Sequence, residues 1–510
     1  MKVRNVFYKL ISIIFAMMMG FTFGVMLFLG KIIHHNNENL CSLSNIIYLA
    51  AGLLILAGGC LVYHFLLRKQ IKAWSHKKCV ILLWVVQFIF VLIQIWIFSR
   101  IYFHSDWDCG TMDHVSEVVA GGSGFFVGDL FIDYFSRFPN NMFLLGILSM
   151  IKSIGMKCGL TDVYMPTVII SIICMNVSAI LGILSARKLL ADRDITVLVY
   201  VLMQILVGWN AWEFIPYTDV FSVLFASLVL YLYLTRDAAA SRCYRWLLIS
   251  LFSMLGYYMK PSSCIVFIAI LIYEMIGFNR SKGKMAIRIL LTFVCAAILT
   301  GAIQMSIRQY VGIPTDSDKA FNMLYFVMLG LGENATGAYD EAELQYAMSF
   351  DTSKERQDGI RNRIVDNLRH KGIKGLLVFE VKKLLLNYDD GSFFWGREGD
   401  FFLENEDRTL QADTVSCLLK KYYYMENNTW LPVIMQTVWV VVLCLTVIAA
   451  VLLLNQKPDE KWILCLSIIG ITLFTLLFEG RSRDLLTYVP YYVILAGVGL
   501  QELYRLKNEK

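Results

Sequence analysis

Apolar residues come in long runs along this chain, and the runs are its strongest pattern. A helix that crosses a bilayer needs about 20 predominantly apolar residues, within a range of about 17–25. Runs of that kind occupy 6–30, 45–67, 78–98, 162–184, 194–210, 217–235, 246–260, 261–278, 288–305, 431–455, 462–478 and 484–502. They predict an all-α integral membrane protein with about 12 transmembrane helices. The polar stretches between them are short except at 100–161 and 306–430.

Orientation follows from the Lys and Arg residues. With the N-terminus in the cytoplasm, the inner loops are 68–78 (Arg68, Lys69, Lys72, Lys77, Lys78), 187–194, 236–245, 279–288 (Arg280, Lys282, Lys284, Arg288), 455–461 and the tail from Tyr504. Each carries Lys or Arg, as the positive-inside rule requires. Both termini are then cytoplasmic and the two long segments lie outside. The same rule makes Asn141–Leu160 a helix in the outer interface, with Lys152 and Lys157 towards headgroups. A further crossing there would put Arg187 and Arg280 outside.

The basic start (Lys2, Arg4, Lys9) before an apolar run to Gly30 has the look of a secretory leader. The run is too long for an h-region and no small-residue cleavage site follows, so it reads as a retained first span. The expected division is two additional N-terminal helices (1–77), a transmembrane core (78–305) with a catalytic outer loop at 100–161, an extracytoplasmic or interfacial segment (306–430), and three C-terminal helices (431–510). The sequence has no internal repeat and no inverted symmetry of the kind carriers show.

Composition narrows the class. Hydrophobic residues make up 57% of the 510 and charged residues 17%, against about 45–50% and about 25% in soluble domains. Mean hydropathy is +0.59. The net charge of +6 comes from short clusters between spans, so it marks topology and not a nucleic-acid surface. The 12 cysteines are scattered, most of them within apolar runs, with no Cys-x-x-Cys or Cys/His spacing. They imply neither a disulfide frame nor zinc.

Ionisable residues gather at the outer ends of the spans. The first outer loop opens His104-Ser105-Asp106-Trp107-Asp108-Cys109-Gly110. Two carboxylates one residue apart suit a general base, oxygen ligands for a divalent cation, or caps for a helix over Thr111–Ala120. Tyr134-Phe135-Ser136-Arg137-Phe138-Pro139-Asn140-Asn141 follows. An arginine and two amides among aromatics suit a polyol or phosphate ligand, or an interfacial aromatic belt before a turn. Trp212-Glu213 and Pro216-Tyr217-Thr218-Asp219 put two carboxylates at the fifth-to-sixth turn. Lys260-Pro261-Ser262 sets a lone cation outside, where it needs an anionic partner, and Glu479-Gly480-Arg481-Ser482-Arg483-Asp484 sets two arginines at the mouth of the last span. Any one of these residues also reads as a snorkelling or capping group. Together, Lys260, Arg481 and Arg483 with Asp106, Asp108 and Asp219 suit a phosphate-bearing lipid and an activated hydroxyl.

In this order and spacing, over roughly 80–500, the motifs Asp106-Trp107-Asp108-Cys109-Gly110, Tyr134 to Asn141, Pro216 to Asp219, Lys260-Pro261-Ser262 and Arg481-Ser482-Arg483 resemble those of the GT-C class. These are membrane glycosyltransferases that use polyprenyl-phosphate sugars, such as protein O-mannosyltransferases and aminoarabinose transferases. The resemblance implies a GT-C-like bundle with interfacial helices in the first large outer loop, in which the 78–98 span takes the place of the family's first helix. It implies transfer with inversion at the anomeric carbon, on the extracytoplasmic face of a bacterial plasma membrane. Asp108 or Asp106 would be the base, and Lys260 with Arg481 or Arg483 would neutralise the departing phosphate. Tyr134, Arg137, Asn140, Asn141, Glu213 and Asp219 would line the substrate site. Members of the class differ in metal dependence, and Asp106 and Asp108 permit a divalent cofactor ion such as Mg or Mn without requiring one. The partners would be a polyprenyl-phosphate sugar donor, a glycan, lipid or protein acceptor, and the bilayer, with no nucleic acid. Gly330-Leu331-Gly332-Glu333-Asn334 and Gly391-Ser392-Phe393-Phe394-Trp395-Gly396 offer residues to shape the acceptor site, but they are too degenerate for roles and read first as glycine-rich turns. The rival readings are a multispan transporter and a flippase or polymerase of surface polysaccharide. Largely uncharged spans with polar outer ends favour chemistry at the interface over transport.

Overall fold

Each of the predicted spans is a helix in the computed structural model of the chain, which describes residues 2–33, 43–122, 127–236, 242–277, 283–395, 413–423 and 430–508. Arg280 and Lys282, expected in an inner loop, and Gly396 of the second glycine-rich turn lie outside the described residues. Among those described, every regular element is helical.

The apolar helices are α1 (Lys2–Ile33), α2 (Asn45–Ala73, with a π turn at Tyr63–Leu67), α3 (His76–Ile101), α7 (Met165–Leu189), α8 (Arg193–Met203), α9 (Thr218–Leu234), α10 (Arg242–Met259), α11 (Ile265–Ile276), α12 (Gly283–Val311), α17 (Trp430–Leu453), α18 (Lys461–Leu477) and α20 (Val489–Asn508). Six of them (α1, α2, α3, α7, α12 and α17) are long and apolar enough to cross a membrane unaided. Three shorter ones, Thr218–Leu234, Pro261–Ile276 and Lys461–Leu477, are also strongly apolar. Between α3 and α7 lie α4 (Trp107–Ala120), α5 (Asp129–Arg137) and α6 (Met142–Lys157). The second long segment contributes α13 (Met323–Gly330), α14 (Glu341–Met348), α15 (Ser353–Tyr388) and α16 (Thr414–Tyr423). The longest, α15, is broken at Gly372, whose φ of 56° needs a residue without Cβ.

Burial separates inner from outer helices. In α2 and α3 only 11% of the most apolar stretch is buried in the protein, against 72% in α7 and 67% in α17. In α20 the run Tyr491–Ala496 is fully buried, so this last helix is the centre of the bundle, packed on α17, α8 and α7. A helix apolar on all sides belongs in a core or in lipid, and both outcomes occur here. The N-terminal helices α1 and α2 pack on α17. Asn45 fixes α2 to the long segment by donating to Asp389 (2.5 Å), and to α17 by accepting from Gln436 (2.8 Å).

Two polar features cross the apolar interior. Gln87 and Gln94 of α3 face Asn176 of α7 and Gln204 of the π turn after α8. Gln204 donates to Gln87 (2.9 Å), Gln87 to Asn176, and Asn176 to Gln94 (2.7 Å), which in turn donates to Glu213 (3.3 Å). Tyr200 meets the other end of this amide ladder, at Gln87 (3.5 Å). Mutual pairing satisfies groups that lipid cannot.

The second feature corrects the reading of Asn141–Leu160. Lys152 is 0% exposed and bonds to both the carboxylate and the backbone carbonyl (2.7 Å) of Asp113 in α4; it does not reach headgroups. Lys157, by contrast, is exposed. The reason is packing: α6 is covered by α4 on one side and α12 on the other, and a lysine beneath two helices must find a carboxylate.

Candidate functional site

The site forms where α3, α7, α9, α10 and α18 end or begin, at one end of the bundle. Its first component is the acidic loop. Trp107 has a φ of 47°, which costs a residue with Cβ about 1–3 kcal/mol. Gly110 makes the turn feasible, since a Cβ there would sit 2.3 Å from the Ser105 carbonyl oxygen. The turn separates the two aspartates. Asp106 stands at the N-cap of α4 with its side chain exposed and without a capping bond, whereas Asp108, in the first helical turn, points inward.

Two phenols orient Asp108. Tyr217 donates to Oδ2 at 3.1 Å, and the Tyr134 hydroxyl lies beside the same carboxylate. Asn141 donates to the Tyr134 oxygen at 2.7 Å, which leaves the phenolic proton for Asp108. Burial, then the Asp108 charge, hold the Tyr134 hydroxyl well above its ordinary pKa, so it stays a donor.

The second component is a buried charge network. Asp219, 1% exposed at the start of α9, receives Lys260 at 2.5 Å and lies 3.3 Å from Arg483. Lys260, in the break between α10 and the turn Pro261–Cys264, also binds Asp484 at 2.6 Å. Two carboxylates are thus matched by two cations, which joins α9, α10 and the short helix α19 (Ser482–Leu485).

Aromatic rings seat the arginines. The Arg483 guanidinium lies 5.1 Å from the Trp107 ring, 5.2 Å from Trp212 and 6.0 Å from Tyr217. Arg481 lies 4.9 Å from Phe394. Phe393 and Phe394 both have positive φ, at 55° and 70°. Asp390 holds that turn by accepting from the backbone of Ser392 (2.9 Å) and Phe394 (2.8 Å), while the Phe393 carbonyl accepts from Trp212 (2.7 Å). Backbone strain therefore brackets both arginines, at Trp107 and at Phe394. Glu479 shares this environment: burial raises its carboxyl above the usual range, and Arg481, Asp484, Arg483 and Asp108 all act on it.

The remaining predicted residues lie apart from this cluster. Arg137 is held by Asp133 at 2.7 Å, and Asp133 also takes Lys319 at 2.8 Å. Despite burial, those two cations keep the Asp133 carboxyl below its ordinary value. Asn140 is exposed and, among the described residues, donates its side-chain amide to Asn141 (3.2 Å). Glu213 is 0% exposed at the end of the amide ladder, where burial raises its pKa well above the ordinary value. Sequence reasoning passed over Trp107, Tyr217, Glu479 and Asp484 as site residues although it read their motifs, and it read Phe394 only as part of a turn. The signal for Trp107 lay between the two aspartates.

For a divalent ion, the donors the sequence offers are Asp106 and Asp108, one turned to solvent and the other to two phenols. Among the described residues no group of three or more His, Cys, Asp or Glu side chains is arranged to hold a metal ion.

An all-helical, multispan membrane bundle with a buried ionic cluster at one end is the class defined by these features. Within it, the chain belongs to the family described as "conserved hypothetical integral membrane protein", whose sequence model matches residues 3–503. No curated protein matches it. Among solved structures it is similar to ArnT from Cupriavidus metallidurans in the apo state, at 12% identity and a TM-score of 0.31 over 82% of this chain and 77% of that one. It is likewise similar to the same protein bound to undecaprenyl phosphate, at 13% identity and a TM-score of 0.31 over 83% and 78%.

Proposed function

We propose that this protein is an inverting glycosyltransferase that moves a sugar from a polyprenyl-phosphate carrier to a hydroxyl of a cell-surface acceptor, on the extracytoplasmic face. The observation that carries the reading is the meeting of Asp108, oriented by Tyr217 and Tyr134, with the aromatic-seated Arg481 and Arg483 and with Lys260 behind them. Ionisable groups at the edge of a bilayer are costly, and their collection in one place fits chemistry on a charged substrate.

In this mechanism the acceptor O–H lies against Asp108. Its oxygen attacks the anomeric carbon as the carbon–oxygen bond to phosphate breaks. The proton passes to Asp108 and the electron pair leaves on the polyprenyl phosphate. Negative charge grows on that phosphate, and cations already held in place by rings and carboxylates need little reorganisation to meet it. Lys260, shared by Asp219 and Asp484, acts as a positioning residue for Arg483. A groove of about 540 Å³ between α10, α11 and α12, reaching Tyr257 and Cys264 on either side of Lys260, offers an apolar path for the carrier's chain. Asp108 is assigned the base role over the exposed Asp106.

The test is transfer of radiolabelled sugar from polyprenyl-phosphate donors by the purified protein. Asp108→Asn is expected to lower the rate about 10²–10⁴-fold at unchanged thermal stability, and Asp106→Asn by less than about tenfold. Equal losses in both variants would remove the assignment of the base.

A further inference from the structure

The end of the bundle opposite Asp108 carries a second site. There, a groove of about 390 Å³ opens between the end of α2, the start of α3, the last turn of α7 and the start of α8. Its walls are largely apolar, formed by Ile71, Trp74, Leu82, Val86, Ile183 and Val197, and two arginines, Arg187 and Arg193, line it as well.

Charge accounting at this groove leaves a cation over. Asp194 is taken by Arg68 (2.8 Å), Lys72 (3.3 Å) and the Tyr63 hydroxyl (2.9 Å). Asp192, which also lines the groove, caps α8 by accepting from the backbone N–H of Asp194 at 2.7 Å. Arg193 donates to the carbonyls of Ile71 (3.2 Å) and Trp74 (3.0 Å). The Arg187 side chain, half-buried in the last turn of α7, makes no hydrogen bond or ion pair with any described residue. The helix carbonyls favour a cation at that position, but they do not neutralise a guanidinium set among apolar walls.

We propose that this groove holds one anionic glycerophospholipid, with its phosphate against Arg187 and its upper acyl chains along Ile71, Leu82 and Val86. A lipid fits better than a soluble anion because the walls are apolar, and because α2 and α3, which form one side, have the least buried apolar stretches of the candidate spans. Basic pockets between transmembrane helices recognise such headgroups. The site stands independently of the reaction proposed at Asp108.

Native mass spectrometry of the full-length protein tests it, with phosphatidylglycerol and phosphatidylcholine of matched chains supplied in equal amounts. The wild type is expected to retain one phosphatidylglycerol with about fivefold preference. Arg187→Gln is expected to bring the two lipids to parity, while Arg187→Lys and Lys188→Gln keep the preference. Equal retention of both lipids by the wild type overturns the proposal, and that arm needs no variant to fold. An undiminished preference in R187Q also overturns it. So does displacement of the lipid by inorganic phosphate, which would mark a soluble-anion site.

Discussion

Single residues at the Asp108 end are held more firmly than a surface ion pair would be. Tyr217 touches Asp108 through one hydroxyl, and Tyr217→Phe removes only that bond. Turnover is expected to fall about tenfold, within the range for lost positioning of an acid–base group, with little change in KM; a rise in KM at constant kcat would make Tyr217 a binding residue instead. Lys260 presents a sharper case. Replacing it by Met leaves the buried Asp219 and the half-buried Asp484 without the cation between them. Breaking a buried pair from one side costs about 3–5 kcal/mol. A thermal or denaturant melt of K260M is expected to show that loss, and Asp219→Asn in the same chain to recover part of it. Non-recovery would mean that Asp219 and Lys260 act separately.

At the scale of elements, α4 and the turn before α9 each depend on a buried carboxyl, and the two respond to pH in opposite directions. Asp113 anchors α4 to α6. Burial alone would raise its pKa, but His104 at 2.6 Å and Lys152 keep it below the ordinary value. Its stabilising contribution is therefore complete above about pH 4, the unfolded value, and is lost as pH falls through the lower folded value. Lys152→Met is expected to cost about 3–5 kcal/mol at neutral pH, measured by unfolding in detergent.

Glu213 behaves oppositely, since burial raises its pKa well above the ordinary value. A group that binds its proton more tightly when folded loses stability as pH rises from the unfolded value towards the folded one. Glu213→Gln, neutral at that position throughout, is expected to lose less melting temperature than the wild type between about pH 5 and 8, the residual slope coming from groups such as Glu479. Parallel curves would show that Glu213 is ionised in the native protein.

The sequence made the elements legible because a bilayer admits one simple signal, a long apolar run whose backbone bonds close within the segment. That signal located α1, α2, α3, α7, α12 and α17 directly, and it located α8 and α20, which turned out to lie against other helices. It did not distinguish helices facing lipid from those facing protein, because both read as apolar: α3 and α7 are similarly apolar in sequence, yet 11% of the one stretch and 72% of the other is buried. For the same reason the amide ladder was invisible, since Gln87, Asn176 and Gln204 are isolated polar residues whose partners lie on other helices. At the site, the motifs gave Asp108, Lys260, Asp219 and Arg483 through their positions at span ends. What the sequence could not supply was pairing across helices, by which Asp484 binds Lys260, Arg137 turns to Asp133 and Lys152 is buried on Asp113.

For the whole molecule, the arrangement places a strained, ring-lined ionic cluster at one end of a bundle whose outer helices face lipid. The reaction proposed for this cluster breaks the bond between a sugar and a polyprenyl phosphate. The most direct measurement is mass-spectrometric detection of free polyprenyl phosphate, made from a panel of polyprenyl-phosphate sugars by the protein in proteoliposomes containing acceptor glycans, lipids and peptides. Polyprenyl phosphate is expected to accumulate with the wild type and to fall about 10²-fold or more with Asp108→Asn, although both proteins bind the donor. No polyprenyl phosphate from any donor, together with uptake of a solute into the same vesicles, would contradict it and make the protein a carrier.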